Sequence, residues 1–178
     1  WYHYGGITRP VYLHVVPDTW LKQTEVRIKD WRKGRIEVRV RLGGALAAEL
    51  PLEASIDGQA VFNKRVAFEY GEAAIVLQTP NPQPWSPDSP HLHRLELRIP
   101  GDDAIIRFGL RSVRTRRHQI LLNDKPVKLK GFNRHEAHPQ FGPALPPAVM
   151  LEDLQLMRQA GCNFIRGSHY PQDQRFLD

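Results

Sequence analysis

Apolar residues alternate with charged ones at Ile36, Val38, Val40 and Leu42, where Glu37, Arg39 and Arg41 fill the gaps. A period of two sends successive side chains to opposite faces, so this stretch predicts a strand in a sheet with one wet face. The habit recurs at Val26 and Ile28, at Leu50, Leu52, Ala54 and Ile56, and over 60–68, 75–79, 92–99 and 104–108. Asp57-Gly58 is a hairpin signal between two of these runs. About seven short strands between residues 17 and 113, separated by turn residues, predict an immunoglobulin-like β-sandwich. No cysteine pair lies there, so it is not an antibody-type domain. Pro80, Pro82, Pro84, Pro87 and Pro90 crowd a loop around Trp85 and exclude regular structure. Trp85 reads as a plug at the end of the sandwich, with a sugar-stacking platform as the sharper alternative.

The period changes further on. After a basic connector over 109–117, a hairpin is expected from Gln119–Leu122, Asn123-Asp124 and the run beginning at Pro126. Its second strand continues through Phe132 into Asn133-Arg134-His135-Glu136. Met150, Leu151, Leu154 and Met157 then share one face of a helix over 147–160, with Pro147 in the first turn and Gly161 at the stop. Asn163-Phe164-Ile165 delivers Arg166-Gly167-Ser168-His169-Tyr170-Pro171. Two strands joined by a crossover helix are parallel neighbours, and ligands of such units sit beyond the strands' carboxyl ends. Asn133, Arg134, His135, Glu136, Arg166 and His169 should therefore converge. Upstream, residues 1–16 hold Trp1, Tyr2 and Tyr4, and Val11, Leu13 and Val15 alternate as a strand. That piece is too small for a core and reads as the last strand of another unit.

Charge narrows the classes little. The net charge of +6 comes from 25 basic and 19 acidic residues. The densest basic group, Arg111, Arg114, Arg116 and Arg117, reads as a solvated face, and no nucleic-acid-binding motif accompanies it. Cys162 is the sole cysteine, which excludes an intrachain disulfide and suits a small core residue. No apolar stretch is long enough to span a membrane and no signal peptide is visible, so no membrane partner is expected; a cytoplasmic location is the expectation, with the compartment left open because a targeting segment could precede Trp1.

The polar clusters can be weighed against three chemistries. His135, Glu136, His138 and His169 are metal-ligand types, but the order H-E-x-H in a loop lacks the helical spacing of a zinc protease. Ser168 has His169 beside it, yet neighbours on a strand point apart and no nucleophile elbow is present. Sugar recognition fits better, because hydroxyl-rich ligands need rigid donors and acceptors together. For Arg134 and Glu136 both a bracing ion pair and direct contact stand open; for His135 and His169 contact is favoured.

Asn133-Arg134-His135-Glu136 followed by Ser168-His169-Tyr170-Pro171 resembles the start of the catalytic barrel of glycoside hydrolase family 2, which includes β-galactosidases and β-glucuronidases. Trp85-Ser86-Pro87 with Leu92 and Leu95 resembles the family's sandwich, and Gly5-Gly6-Ile7-Thr8-Arg9-Pro10-Val11 the end of its jelly-roll domain. The resemblance implies a mainly β chain: a jelly-roll tail over 1–16, the sandwich over 17–113, and over 114–178 the first βαβ unit of an incomplete (β/α)8 barrel. It implies a fragment of a retaining exo-β-glycosidase acting on terminal β-galactosides or β-glucuronides. His135 and His169 match family histidines that contact the sugar in the galactosidase branch; Arg166, Asn133, Arg134 and Glu136 remain candidate sugar contacts from their chemistry. The two catalytic glutamates lie on later barrel strands, so the chain alone is expected to be inactive, with no catalytic residue of its own. No cofactor is expected here, and a divalent metal in the full-length enzyme is left open. The implied partners are the carbohydrate and the rest of the parent chain, with a homo-oligomer left open. A non-catalytic carbohydrate-binding or scaffold module is the alternative.

Overall fold

The computed structural model describes residues 4–177; Trp1 and Tyr2, part of the expected N-terminal strand, lie outside them. The chain forms two compact units, one of residues 14–127 and one of residues 4–13 with 128–177.

The first unit is the sandwich. Strands β1 (Thr19–Asp30), β2 (Arg35–Gly44), β3 (Glu49–Ile56), β4 (Gln59–Ala67), β5 (Glu72–Gln78), β6 (His93–Ile99) and β7 (Asp102–Phe108) form two antiparallel sheets, ordered β1-β2-β5 and β4-β3-β6-β7. Alternation builds the core: Ile36, Val38, Val40 and Leu42 face Leu52, Ala54, Ile56, Leu95 and Leu97, all buried in one cluster. Their charged neighbours point outward and pair there, as in Arg39 Nε to Glu37 at 3.0 Å and Arg41 Nη2 to Glu72 at 2.6 Å. At the β3–β4 turn Asp57 and Gly58 both have positive φ (51° and 79°), the primed-turn geometry their sequence announces.

Trp85 is a packing residue. A Cβ placed on Gly109 would lie 3.0 Å from Trp85, so a larger residue there would press on the indole. The Arg111 guanidinium lies over one face of the ring at 4.4 Å, and the Trp85 side chain is half-buried. The basic connector differs from its expectation. Val113–Arg116 forms a strand, β8, which pairs with β9 (Gln119–Leu122), and β10 (Lys125–Val127) completes a three-stranded sheet. All four β8 residues are exposed, so no apolar alternation marks it. Asn123 ties the turn down: its Nδ2 donates to the Trp85 carbonyl at 2.8 Å and its Oδ1 accepts from the Ser112 N–H at 2.9 Å.

In the second unit β11 (Gly131–Arg134), α1 (Pro147–Gln159) and β12 (Phe164–Gly167) make the expected βαβ, followed by the short α2 (Gln174–Leu177). The strands are parallel, with Asn133 opposite Arg166 and Arg134 opposite Gly167. Pro147 opens α1, and Gly161, at φ 78°, closes it with the Cys162 N–H donating to the Met157 carbonyl at 3.0 Å. Of the expected apolar face Met150 is buried, Leu154 and Met157 are half-buried and Leu151 is exposed. Cys162 is half-buried too, less deep than a core residue. The strand expected at Val11, Leu13 and Val15 does not form: residues 4–16 hold no strand, and these three side chains are exposed. Alternation marks a β preference, but a strand needs a partner edge, and among the described residues this segment has none. No helix among the described residues is long and apolar enough to cross a membrane.

Candidate substrate-binding site

Parallel pairing brings the two polar clusters together, and alternation along the chain divides the first of them into two layers. Asn133 and His135 are exposed, while Arg134 and Glu136, one step out of phase, are each only 5% exposed. In the second cluster Arg166 and His169 are exposed and Ser168 is buried, an order that does not follow strand parity, since β12 ends at Gly167.

The exposed layer is a set of donors and acceptors. Arg166 Nη1 donates to Asn133 Oδ1 and to Ser168 Oγ, both at 3.3 Å. The imidazoles of His135 and His169 meet edge to face with ring centroids 5.4 Å apart, and the Tyr170 ring lies 6.0 Å from that of His135. Guanidinium, amide and two imidazoles thus sit at the carboxyl ends of adjacent parallel strands, where such units bind their ligands.

The buried layer is a bracing network. Arg134 Nε donates to Asp153 of α1 at 2.9 Å, its Nη1 to Gln172 at 2.7 Å, and its guanidinium lies 4.1 Å from the Phe176 ring. Glu136 accepts from Arg9 Nη2 at 2.8 Å and from the Asp173 N–H, while its own N–H donates to the Tyr170 hydroxyl at 2.8 Å. Of the two roles left open for Arg134 and Glu136, this geometry is that of bracing. Asp173 in turn holds Arg175 by its Nε at 3.0 Å and Nη2 at 2.7 Å. These bonds pull its carboxyl down to about 2, against the opposing effect of burial. Asp153 lies past the first turn of α1, so it serves Arg134 and not the helix terminus.

Sequence reasoning missed Arg9, Asp153, Asn163, Tyr170, Gln172 and Asp173. Asn163 Oδ1 accepts from the Lys130 N–H at 2.8 Å and its Nδ2 donates to the Lys128 carbonyl at 3.0 Å, clamping the entry to β11. Tyr170 carried a signal by standing beside His169, and Arg9 stood in the motif shared with the family's jelly-roll domain, with nothing in it to show its partner.

Two other places attract attention. Asp57, His91 and His93 bring a carboxylate and two imidazoles within 4.8 Å of one another. His93 is buried, its Nε2 accepts from the Gln83 N–H at 3.1 Å, and its Nδ1 therefore carries the proton that bonds Asp57 at 2.6 Å. With both ring nitrogens used, His93 pins the proline-rich loop to the sandwich. Burial raises the Asp57 carboxyl, but the Arg94 N–H and His93 outweigh it and leave it below its ordinary value. Among the described residues, His135, Glu136, His138 and His169 do not form a comparable ligand group. A depression of about 730 Å³ on the outer face of the β1-β2-β5 sheet is lined by Arg27, Arg39, Arg41, Glu25 and Glu72. Its arginines are paired with glutamates, which makes it a solvated ion-pair ladder far in chemistry from a sugar cleft.

Comparison with known proteins agrees with this architecture. Residues 14–111 match the family model described as glycosyl hydrolases family 2, and residues 113–178 match that described as glycosyl hydrolases family 2, TIM barrel domain. A curated β-galactosidase of Thermoanaerobacter pseudethanolicus is 30% identical over 98% of this chain, which spans 25% of that relative's length. A family 2 β-galacturonidase of Eisenbergiella tayi, solved with galacturonate bound, is 33% identical with a TM-score of 0.80, over 92% of this chain and 31% of that one. A Bifidobacterium dentium β-glucuronidase complexed with coumarin-3-O-glucuronide has the same fold at 22% identity and a TM-score of 0.78, over 90% of this chain and 29% of that one. With two family models matching in succession across the sandwich and the opening of the barrel, the chain belongs to glycoside hydrolase family 2.

Proposed function

We propose that this chain is part of a retaining exo-β-glycosidase that hydrolyses terminal β-galactosides or β-glucuronides, with β-galacturonides in the same class. The observation that carries the reading is the exposed His135–His169 pair, 5.4 Å apart at the ends of two parallel strands beside Asn133 and Arg166. Neutral imidazoles offer one donor and one acceptor each, Asn133 offers both kinds and Arg166 a fork of donors, which suits a ring bearing several hydroxyls. The galactosidase, galacturonidase and glucuronidase relatives support the substrate class.

Retention requires two carboxylates about 5–5.5 Å apart, one nucleophile and one acid/base. Glu136 fills neither role in this reading, since Arg9 and the Asp173 N–H occupy its oxygens. The pair comes instead from later barrel strands, and the 178-residue chain supplies part of the sugar cradle. His135 and His169 tighten on hydroxyls as the ring flattens toward an oxocarbenium-like transition state, so their loss lowers kcat as well as raising KM.

The test is steady-state kinetics on aryl β-galactoside, β-glucuronide and β-galacturonide. His135→Ala and His169→Ala in the full-length enzyme are expected to cost about 2–4 kcal/mol of transition-state binding, roughly 30- to 1000-fold. Their melting temperatures should hardly change, because both side chains are exposed. The 178-residue chain alone should show no turnover. Near-normal kcat with a large loss of stability would remove both histidines from the site.

A further inference from the structure

A buried carboxylate is costly unless it is paired, and Glu136 is paired from far away in sequence. Arg9, which is 127 positions upstream, donates from Nη2 to its Oε2 at 2.8 Å. The same nitrogen donates to the Pro171 carbonyl at 2.6 Å. Arg134 cannot take over this duty: its nearest nitrogen stands 3.9 Å from Glu136, and its guanidinium is committed to Asp153 and Gln172. One nitrogen of Arg9 therefore joins the residue that follows His135 to the residue two beyond His169. A second tie, from the Glu136 N–H to the Tyr170 hydroxyl, closes the link from the other side.

We propose that Arg9 is a positioning residue for the sugar-binding face: it locks the loops after β11 and β12 together and so sets the separation of the His135 and His169 rings. The inference rests on the reading of those histidines as sugar contacts. It gives the segment before the sandwich, whose described residues form no strand, a part in the catalytic machinery without touching substrate.

In the full-length enzyme Arg9→Met is expected to lower kcat/KM on an aryl glycoside by roughly 10- to 100-fold, the scale of a misplacement near 1 Å. Arg9→Lys should recover most of it, because a single nitrogen makes both contacts and an ammonium has three donors. Combining Arg9→Met with His169→Ala should add little to the loss from His169→Ala alone, since the positioned group is already gone. In the 178-residue chain the His135 and His169 ring resonances should shift in Arg9→Met and return in Arg9→Lys. Should Arg9→Met fail to fold, Arg9→Gln, neutral and shorter, replaces it with the same expectations. Normal kcat/KM in the folded variant, full additivity with His169→Ala, or unmoved ring resonances would overturn the proposal. Normal turnover in His135→Ala and His169→Ala would overturn the sugar-contact reading and this proposal with it. Loss there, with normal turnover in Arg9→Met, would overturn the role of Arg9 alone.

Discussion

At the scale of single residues, the buried charges of the second unit are held by partners from several parts of the chain. Asp173 is the clearest case, with its carboxyl lowered from an ordinary 3.8 to about 2, chiefly by Arg175. A carboxyl depressed in the folded state contributes stability that is fully present above the unfolded value and is lost as pH falls through the folded one. The Asp173 contribution should thus be intact above about pH 4 and vanish near pH 2. A carbon-detected carboxyl titration should place its midpoint near 2; a midpoint in the ordinary aspartate range would show that Arg175 does not hold it in solution. Arg134 and Glu136 illustrate why residue type alone was ambiguous. The sequence lists a cation and an anion two apart in a polar cluster, but alternation along the folded chain turns both inward while Asn133 and His135 face out.

At the scale of elements, the β11–β12 pairing is what brings the two clusters together, and Gly131 permits it. A Cβ there would lie 1.6 Å from the Phe164 carbonyl oxygen. That neighbour is backbone in the partner strand, so no side-chain rotation could make room. Gly131→Ala should therefore disrupt the parallel pair, at a cost of about 1–3 kcal/mol. Hydrogen exchange over 131–134 and 164–167 should accelerate, while the sandwich strands keep their protection. Unchanged exchange in both strands would show that the pairing tolerates the methyl group. The sandwich elements were legible because each buries one face against the opposite sheet, which forces the alternation seen in β2 and β6. Strand β8 was not, because it is held by ladder hydrogen bonds to β9 with every side chain in water.

At the scale of the whole molecule, the two units differ in how much apolar surface they bury. The sandwich encloses a continuous cluster that includes Ile36, Val38, Leu52, Ile56, Leu95 and Leu97. Among the described residues of the other unit the buried apolar side chains are Leu145 and Met150, while Phe132, Leu151, Leu156 and Phe164 are exposed. Native-state hydrogen exchange on the dilute monomer should accordingly find the slowest amides within 14–127 and faster exchange after Val127. Equal protection in the two units would show that the second is as stable as the first despite its exposed apolar faces.

What the sequence determined by itself is what repeats or is local. The alternation of the sandwich, the Asp57-Gly58 and Asn123-Asp124 turns, the helix between Pro147 and Gly161, and the family motifs around His135 and His169 all follow from neighbours along the chain. Tertiary structure alone decided which members of those motifs face solvent, that Val11, Leu13 and Val15 form no strand, and that Arg9 reaches Glu136 and Pro171. Side-chain period and turn chemistry act over a few residues and leave a mark in the sequence. An ion pair across 127 positions depends on the whole path of the chain between its partners, and no local pattern records that path.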